Sequence, residues 1–338
     1  MIFPLRASET EGGLSFLNIP ATAKSSLLGN TLTSGLYSPG SLFQNPANIW
    51  NSAPYRMTYT IRRKNLIDSG YQSFFATLWP RKLSNIVFGV GYVDYSVDKI
   101  EEYDINNIFI DYFDWHDRCV GIGLSARSMG ILWGVGGNYI FRSTSYDASF
   151  TETYSNIDLG LTLENIKIKN VNLSISYVLK NTIGKNDDIS TTSLPKFIIG
   201  TQISTTLFKL SEDRIDPSEI SIKFHSDLYR ANEPILFFRS GLEFLKPILQ
   251  YGNIILGFGY RKFPLLLDKD YAVDIKSLRE YNKKYSFGIV FDLKLNKILN
   301  NNMSPFSSAI FGYTNETNYG MDMLDLHHIT IELVSYNK

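Results

Sequence analysis

Apolar and polar residues alternate one by one along most of the chain, which is typical of β-strands whose two faces meet different surroundings. In the segment CVGIGLSAR, the apolar residues Val120, Ile122 and Leu124 share one face, and small or polar residues occupy the other. The same pattern recurs through the chain and predicts about fourteen strands. They lie near residues 55–62, 72–79, 86–95, 107–115, 119–127, 131–142, 155–163, 171–180, 196–203, 219–228, 235–244, 253–260, 285–294 and 327–334.

The lengths of these segments favour strands that cross a membrane. Several segments have eight to twelve residues, close to the ~9 to 11 residues that a tilted transmembrane strand needs. The connection near residues 127–130 suits a tight turn, whereas residues 265–284 and 296–326 are predicted as long loops. Short turns at one rim and long loops at the other are typical of an outer-membrane barrel.

Two all-β architectures share this alternation: a soluble sandwich with its apolar face inward, and a membrane barrel with its apolar face toward lipid. The second face of the strands favours the barrel, because it carries mostly Gly, Ser, Asn and Thr with few charges. We therefore predict an all-β fold, a transmembrane antiparallel β-barrel of about 14 strands, with the soluble sandwich as the alternative. The polar side chains predicted to face the lumen are Arg127, Asn138, Asp158, Lys223, His225, Asp227 and Asp292.

Composition narrows the choice of partners. Charged residues make up 20% of the chain and aromatic residues 14%. Aromatic residues near strand ends, including Tyr95 and Trp115, are predicted to form girdles at the two membrane interfaces, and ordinary core positions are the alternative for them. Lys plus Arg equals Asp plus Glu at 33 each, so the net charge does not favour a nucleic-acid partner. The predicted partner is outer-membrane lipid.

The predicted location, a bacterial outer membrane, depends on the strands alone. No run in the sequence approaches the ~18 to 20 consecutive apolar residues of a membrane-spanning helix. The first residues, MIFPLRASETEGG, also lack the basic, apolar and small-residue regions of a secretory signal.

The sequence contains no motif that favours catalysis. It has no GxSxG, no HExxH and no phosphate-binding GxxxxGK motif. His327 and His328 are adjacent, so they point to opposite faces of a strand, which disfavours joint metal ligation. The single cysteine, Cys119, has no CxxC partner and is predicted to be a small wall or core residue. We expect no enzyme activity, no cofactor and no metal site.

Residues 27–50, LLGNTLTSGLYSPGSLFQNPANIW, break the alternation and carry no charged side chain. With the residues just before them, they resemble the start of the PorV/PorQ family of outer-membrane barrels, which is related to the FadL long-chain fatty-acid transporters. The shared features are Phe16-Leu17, Gly29 and Asn45-Pro46-Ala47. SGLEF at 240–244 is also similar to a strand of that family, whereas residues 23–29 depart from the family's usual phrase.

The resemblance implies an N-terminal hatch, or plug, that lies in the lumen against a wall of small residues. The implied organisation is a tail at residues 1–13, a hatch at 14–54 and a barrel at 55–338. Irregular backbone at membrane depth is tolerated where protein buries it or where it lines a wet cavity. The implied hatch motif is Gly29, Asn45, Pro46 and Ala47.

The resemblance also implies two possible functions. In the first, the barrel binds or passes hydrophobic small molecules, of a fatty-acid-like kind, through a lumen that the hatch gates. In the second, the protein belongs to a type IX secretion system and binds secreted proteins or secretion machinery through extracellular loops at residues 264–284 and 295–326.

Overall fold

The strands of a computed structural model form one closed barrel. The structure describes residues 21–31, 38–50, 53–64, 69–80, 85–104, 106, 108–145, 151–186, 196–208, 220–230, 236–248, 251–266, 283–299, 306–319 and 325–335. Its strands are β1 (Tyr55–Lys64), β2 (Ser69–Leu78), β3 (Ile86–Tyr103), β4 (Phe109–Ser128), β5 (Ile131–Thr144), β6 (Thr151–Ile168), β7 (Val171–Asn186), β8 (Lys196–Phe208), β9 (Ile220–Arg230), β10 (Leu236–Ile248), β11 (Gly252–Leu266), β12 (Lys283–Leu293), β13 (Phe306–Tyr319) and β14 (Asp325–Ser335).

Every strand pairs antiparallel with its neighbours in the sequence, and β1 pairs with β14 to close the ring. The prediction of a 14-strand antiparallel barrel is confirmed. The alternative of a soluble sandwich is wrong, because a sandwich has two sheets and this chain has one sheet joined end to end.

The two faces of the strands differ as the alternation predicts. In β1, Tyr55, Tyr59 and Ile61 are exposed on the outer face, whereas Thr58 and Thr60 are buried on the inner face. An apolar outer surface suits lipid, and ring closure pairs the backbone N–H and C=O groups of the strands, as a bilayer requires. The fold is therefore that of a transmembrane barrel.

Two details of the strand prediction are wrong. Residues 107–115 and 119–127 were separated by the polar run His116–Arg118, but both belong to β4, where Asp117 is buried and paired. The stretch 296–326, predicted as a long loop, contains β13. The second half of β13 reads TNETNY, and this polar run hides the alternation. The two errors offset each other in the strand count.

The two rims of the barrel differ. We call one the turn rim: it carries the two-residue connections 129–130 and 169–170, the start of β1 and the end of β14. We call the opposite one the loop rim. The connection 267–282, between β11 and β12, belongs to the loop rim and lies outside the described residues.

Helices are few and short. Ala23–Leu27 forms α1, Pro39–Phe43 and Pro46–Ile49 form two 3₁₀ helices, and Leu295–Ile298 forms α2 after β12. Among the described residues, none of the helices is long and apolar enough to cross a membrane.

Candidate functional site

The N-terminal residues 21–31 and 38–50, which we call the lumenal segment, lie inside the barrel. Helix α1 contacts β11 to β14, the Pro39 helix contacts β1 to β5, and the Pro46 helix contacts β3 to β6. Together these strands form one continuous arc that runs from β11 through β14 and β1 to β6, and the contacts use their inner faces. The tail at residues 1–13 and the hatch residues 14–20, 32–37 and 51–52 lie outside the described residues.

Local capping explains why the lumenal segment folds as three short helices. Thr22 caps α1: its side chain accepts from Ser25 N, and the Ser25 hydroxyl in turn accepts from Thr22 N. Asn45 caps the Pro46–Ile49 helix, because its Oδ1 accepts from Ala47 N at 3.1 Å. Pro46 occupies the first position of that helix, where a missing N–H costs nothing.

The hatch motif contacts wall glycines where no side chain would fit. A methyl group on Gly134 would lie 2.1 Å from Ala47 N, and one on Gly160 would lie 2.1 Å from Asn45 Oδ1. On the other side of the barrel, a methyl group on Gly259 would lie 2.1 Å from Gly29 N. Gly29 itself has a φ of 64°, a conformation that favours glycine.

Hydroxyl groups on the wall satisfy backbone carbonyls of the lumenal segment. Thr314 Oγ1 donates to Ala23 O at 2.7 Å, and Ser125 Oγ donates to Ala47 O at 2.7 Å. The wall also accepts, since Ala23 N donates to Thr330 Oγ1 at 2.6 Å. A buried irregular backbone needs such partners, because each unsatisfied group is costly away from water.

Two lysines and a histidine surround Glu243 of β10. Its carboxylate lies 3.5 Å from Lys24 Nζ of α1 and 3.3 Å from Lys223 Nζ of β9. His225 Nε2 is 3.7 Å away, and both His225 and Glu243 are buried. Burial lowers the pKa of Lys24 below its ordinary 10.5, and the neighbouring Glu243 partly offsets the shift. The cluster joins α1 to the wall by charge.

A second polar cluster lies under the Pro39 helix. Asn138 Nδ2 donates to Asp158 Oδ2 at 3.1 Å and to Asn156 Oδ1 at 2.7 Å. Lys180 Nζ donates to the carbonyl oxygen of Phe43 in the lumenal segment. The negative charge of Asp158 attracts the amine of Lys180, which belongs to the same cluster.

The structure brings together only some of the side chains that were predicted to face the lumen. Asn138, Asp158, His225 and Asp227 are buried. Arg127 stands at the turn rim, where its partly exposed side chain pairs with Glu164 at 3.3 Å. The remaining ones, Lys223 and Asp292, line a cavity near the same rim.

That cavity lies on the turn-rim side of α1 and has a volume of about 290 Å³. Its charged lining residues are Lys24, Arg56, Lys223, Asp292 and Glu332. Glu332 accepts from Ser38 Oγ of the lumenal segment at 3.1 Å. The side of the lumenal segment that faces the turn rim therefore borders a cavity that is lined by these charged side chains and by Ile255, Val290 and Ile310.

The loop-rim side is aromatic. Phe43 of the Pro39 helix packs edge to face on Phe75 of β2, with ring centres 5.3 Å apart. Tyr71 and Tyr154 belong to the same buried cluster, and Tyr95 packs against it. A molecule that enters from the loop rim would meet this aromatic layer before the lumenal segment.

Arg142 lies in that layer, and carboxylates beside it balance its positive charge. Its guanidinium carbon is 5.0 Å from the centre of the Trp115 ring, and its Nε is 2.8 Å from Asp117 Oδ1. A second carboxylate, Glu152, lies 3.4 Å from its Nη1. The prediction that Tyr95 and Trp115 belong to an interfacial girdle is wrong, because both lie on the inner face of the wall.

Several residues of the site were not among the sequence predictions. Glu243, Lys180 and Arg142 were not predicted, because one charged residue in a strand looks the same whether its partner is across the lumen or in water. Glu243 lies in the SGLEF phrase and alternates with Leu242 and Phe244, which could have placed it on the inner face. Cys119 is buried and free, as a wall residue. In the part of the chain that the structure describes, no group of three or more potential ligands is placed to hold a metal ion.

Comparisons with known proteins identify the fold. No protein-family model matches the sequence, and no curated protein matches it. The toluene transporter TbuX of Ralstonia pickettii is similar in structure, with a TM-score of 0.51 at 8% identity over 93% of this chain and 98% of that one. The monoaromatic hydrocarbon channel CymD has a TM-score of 0.53 at 8% identity, over 95% and 98% of the two chains. A Pseudomonas aeruginosa FadL homologue has a TM-score of 0.47 at 9% identity, over 93% and 96%. The likeness to TbuX and CymD, at these identities, shows the barrel fold alone.

Proposed function

We propose that the protein is an outer-membrane channel for small hydrophobic molecules, and that the lumenal segment is its hatch. The observation that carries the proposal is the position of this segment, which lies between an aromatic layer on the loop-rim side and a cavity with charged side chains in its lining on the turn-rim side. An apolar molecule gains free energy in the aromatic layer by leaving water, about 25 cal/mol per Å² of buried apolar surface. It then needs a path past the segment.

The contacts of the lumenal segment suit an element that moves as a unit. It docks through glycines that leave room for its backbone, through hydroxyl groups such as Thr314 and Ser125, and through the Lys24–Glu243 pair. Hydrogen bonds of this kind contribute about 0.5–1.5 kcal/mol each. Movement of the segment also has to expose buried apolar side chains such as Leu27, Leu42 and Phe43, and no covalent change is required.

A reversible disulfide tests whether the segment must move. A methyl group on Gly312 of β13 would lie 2.9 Å from Ala23 Cβ of α1, so a shift of about 0.6 Å gives the ~3.5 Å needed for a disulfide. The variant is Ala23→Cys with Gly312→Cys in a Cys119→Ser background. We expect uptake of labelled toluene by cells that express it to fall to the vector level after oxidation and to return with dithiothreitol.

The matched control is Ala23→Cys alone in the same background, which cannot form the disulfide. Its uptake should be unaffected by oxidation. Mass spectrometry shows whether the oxidised double variant is crosslinked. If the crosslinked protein takes up toluene as fast as the same variant after treatment with dithiothreitol, the segment is a fixed part of the wall and the hatch proposal fails.

Membership of the PorV/PorQ family and a role in type IX secretion remain predictions of the sequence resemblance. Of the two loops assigned to partner binding, residues 295–326 contain α2 and β13. The other, 264–284, lies outside the described residues except for its ends. The described residues therefore favour the channel.

A further inference from the structure

One oxygen of Glu243 is shared by two groups that come from different parts of the molecule. Lys24 Nζ of the lumenal segment lies 3.5 Å from Glu243 Oε2, and His225 Nε2 of the wall lies 3.7 Å from the same atom. The other oxygen, Oε1, accepts from Lys223 Nζ at 3.3 Å. A charged His225 therefore competes with Lys24 for a single oxygen.

His225 is enclosed on the inner face of the wall. It is 1% exposed, and within the described part of the chain neither of its ring nitrogens makes a hydrogen bond. It lies opposite Gly241 of β10. A methyl group on Gly241 would lie 2.7 Å from Cα of Leu28, the residue that ends α1. Departure of α1 thus opens the wall beside His225 to water.

The charges closest to His225 sum to one surplus positive charge. Lys24 approaches from α1 and Lys223 from the same strand, whereas Glu243 is the one carboxylate that they share. Burial disfavours the charged form of an imidazole, and neighbouring positive charge disfavours it further. The docked position of α1 therefore favours a neutral His225.

The other groups that face His225 leave this balance unchanged. Asp227 of β9 and Arg239 of β10 are buried on either side of it, and they lie opposite each other in the strand pair. Together they add one charge of each sign. On β8 the residue opposite His225 is Gln202, which is uncharged. Glu243 and the two lysines thus determine the local surplus of charge.

Lys24 has a second carboxylate on the turn-rim side of α1. Asp292 of β12 lines the cavity there together with Lys24, and its negative charge attracts the lysine amine. The described partner of Asp292 is a neutral one, since its Oδ2 accepts from Asn253 Nδ2 at 3.3 Å. The cavity offers about 290 Å³ on that side. A lysine displaced from Glu243 can therefore stay paired while α1 shifts.

We propose that His225 is a proton-operated latch of the hatch: its protonated ring takes Glu243 Oε2 from Lys24, and α1 leaves the wall. The proposal rests on the hatch function proposed above, and it adds the signal that releases the hatch. The ring takes up one proton from water, so that both nitrogens carry hydrogen and Nε2 donates to Oε2. Lys24 keeps its own proton and moves toward Asp292.

Linkage between the proton and docking gives the sign of the pH dependence. Docked α1 disfavours a proton on His225, and release of α1 removes Lys24 and admits water. Protons therefore favour the released state, and docking weakens as the pH falls through the ordinary histidine pKa of about 6.5. One group contributes at most tenfold per pH unit, which is about 30-fold between pH 6.5 and 5.0.

Hydrogen exchange of residues 23–31 in reconstituted protein, at pH 7.5 and at pH 5.0, tests the latch. The intrinsic exchange rate also depends on pH, so each variant is compared with the unaltered protein at the same pH. Relative to the intrinsic rate, we expect protection in the unaltered protein to fall by about 5- to 30-fold at pH 5.0. His225→Gln keeps a polar side chain that cannot be protonated in this range, and its protection should be the same at both pH values.

Two further variants separate the latch from other titrating groups. His327→Gln removes a histidine on the outer face, whose Nδ1 is 2.8 Å from Tyr313 Oη, and it should keep the full response. Lys24→Met removes the competing cation and leaves His225 in place, so its response should be much smaller. Heat-modifiable migration on a gel shows which variants assemble, and Lys24→Met carries the test alone if His225→Gln does not.

Toluene uptake by intact cells at the same two pH values, with vector-only cells subtracted, connects the latch to transport. Toluene is uncharged at both pH values, so its own state does not change. We expect uptake by the unaltered protein to rise several-fold at pH 5.0, and uptake by His225→Gln to stay constant.

The outcomes separate the latch from the channel. The latch is overturned, and the channel is not, if protection in the unaltered protein is independent of pH, if it changes equally in His225→Gln, or if Lys24→Met keeps the full response. The expected pH response without toluene uptake above the vector level would support the exchange of partners at Glu243 and overturn the channel. Uptake that stays equal at both pH values although protection falls would show that α1 is not the hatch.

Discussion

Gly134 of β5 lies directly opposite Gly160 of β6 in the barrel wall, and the lumenal segment fills the space that side chains at these two positions would occupy. Asn45 and Ala47, two residues of the hatch motif, make the contacts. The smallness of the wall and the irregularity of the segment are therefore one packing arrangement. It follows that a single added methyl group is a probe of docking.

Gly134→Ala is expected to displace the Pro46 helix from the wall. Overpacking of this kind costs about 1–3 kcal/mol, which is about 5- to 150-fold in the docking equilibrium. Hydrogen exchange of residues 45–50 should accelerate by that factor, and toluene uptake should rise. Gly137→Ala is the matched control, because a methyl group there would meet only Ile122 at 4.0 Å on the outer face. Equal exchange in the two variants would contradict the packing argument.

Glu243→Gln is expected to loosen α1 more than Lys24→Met does. The first change leaves two lysines beside a neutral amide, whereas the second leaves Glu243 paired with Lys223 at 3.3 Å. Removal of the buried carboxylate leaves the two lysines without a negative partner and costs about 2–4 kcal/mol. Removal of the partly exposed lysine costs about 1 kcal/mol or less. Hydrogen exchange of residues 23–31 measures both. A larger effect of Lys24→Met would show that the charge cluster does not hold the helix.

Substitutions of Asn45 separate its two roles. Asn45→Ser keeps an oxygen that caps the Pro46 helix but cannot reach Thr162, to which Asn45 Nδ2 donates at 3.1 Å. Asn45→Ala loses both contacts, and loss of the cap alone costs about 1 kcal/mol. We expect protease resistance of the lumenal segment in reconstituted protein to fall in the order Asn, Ser, Ala. The control Asn172→Ser, at an exposed position of β7, should leave the protease resistance unchanged. If Asn45→Ala is as resistant as Asn45→Ser, the cap does not contribute to docking of the segment.

Two isoleucines on the same face of β4 test where the membrane ends. Ile122 and Ile110 are exposed by 65% and 54%, but Ile110 lies at the loop-rim end of β4, before the residues of β4 that pair with β5. Ile122→Arg should lower the free energy of unfolding by about 2–4 kcal/mol, as arginine does near the bilayer midplane. Ile110→Arg should change it by less than about 1 kcal/mol. Urea unfolding in lipid vesicles measures both, and equal losses would place the loop-rim end of β4 in the membrane.

Alternation predicted the strands because two different environments act on the two faces of each strand, and the small and polar residues of the second face favoured the barrel over a sandwich. It failed where that contrast ends. Asp117, which pairs with Arg142, interrupts the apolar pattern within β4. The polar second half of β13 has no apolar outer face to alternate with. Both errors concern residues whose environment is set by a neighbouring strand or by the rim, and periodicity within one strand carries no information about either.

The hatch motif was predicted from the family resemblance, whereas the charged partners in the site were not predicted. The residues singled out at Gly29 and at Asn45 to Ala47 touch the wall because only small or capping residues fit there. Glu243 and Lys24 are 219 positions apart in the chain, so their pairing emerges only when the ring closes. Charge clusters across a lumen are properties of the closed ring and not of any one segment.

The hydrogen bond from Ala23 to Thr330 joins the beginning of the chain to its last strand, across 307 positions. A contact of such long range cannot form until nearly the whole protein has been synthesised and β14 has met β1. During biogenesis the lumenal segment therefore lacks this part of its wall until the last strand is in place. Docking of α1 is in this sense a late step, and a protein whose α1 is protected is one whose ring has closed.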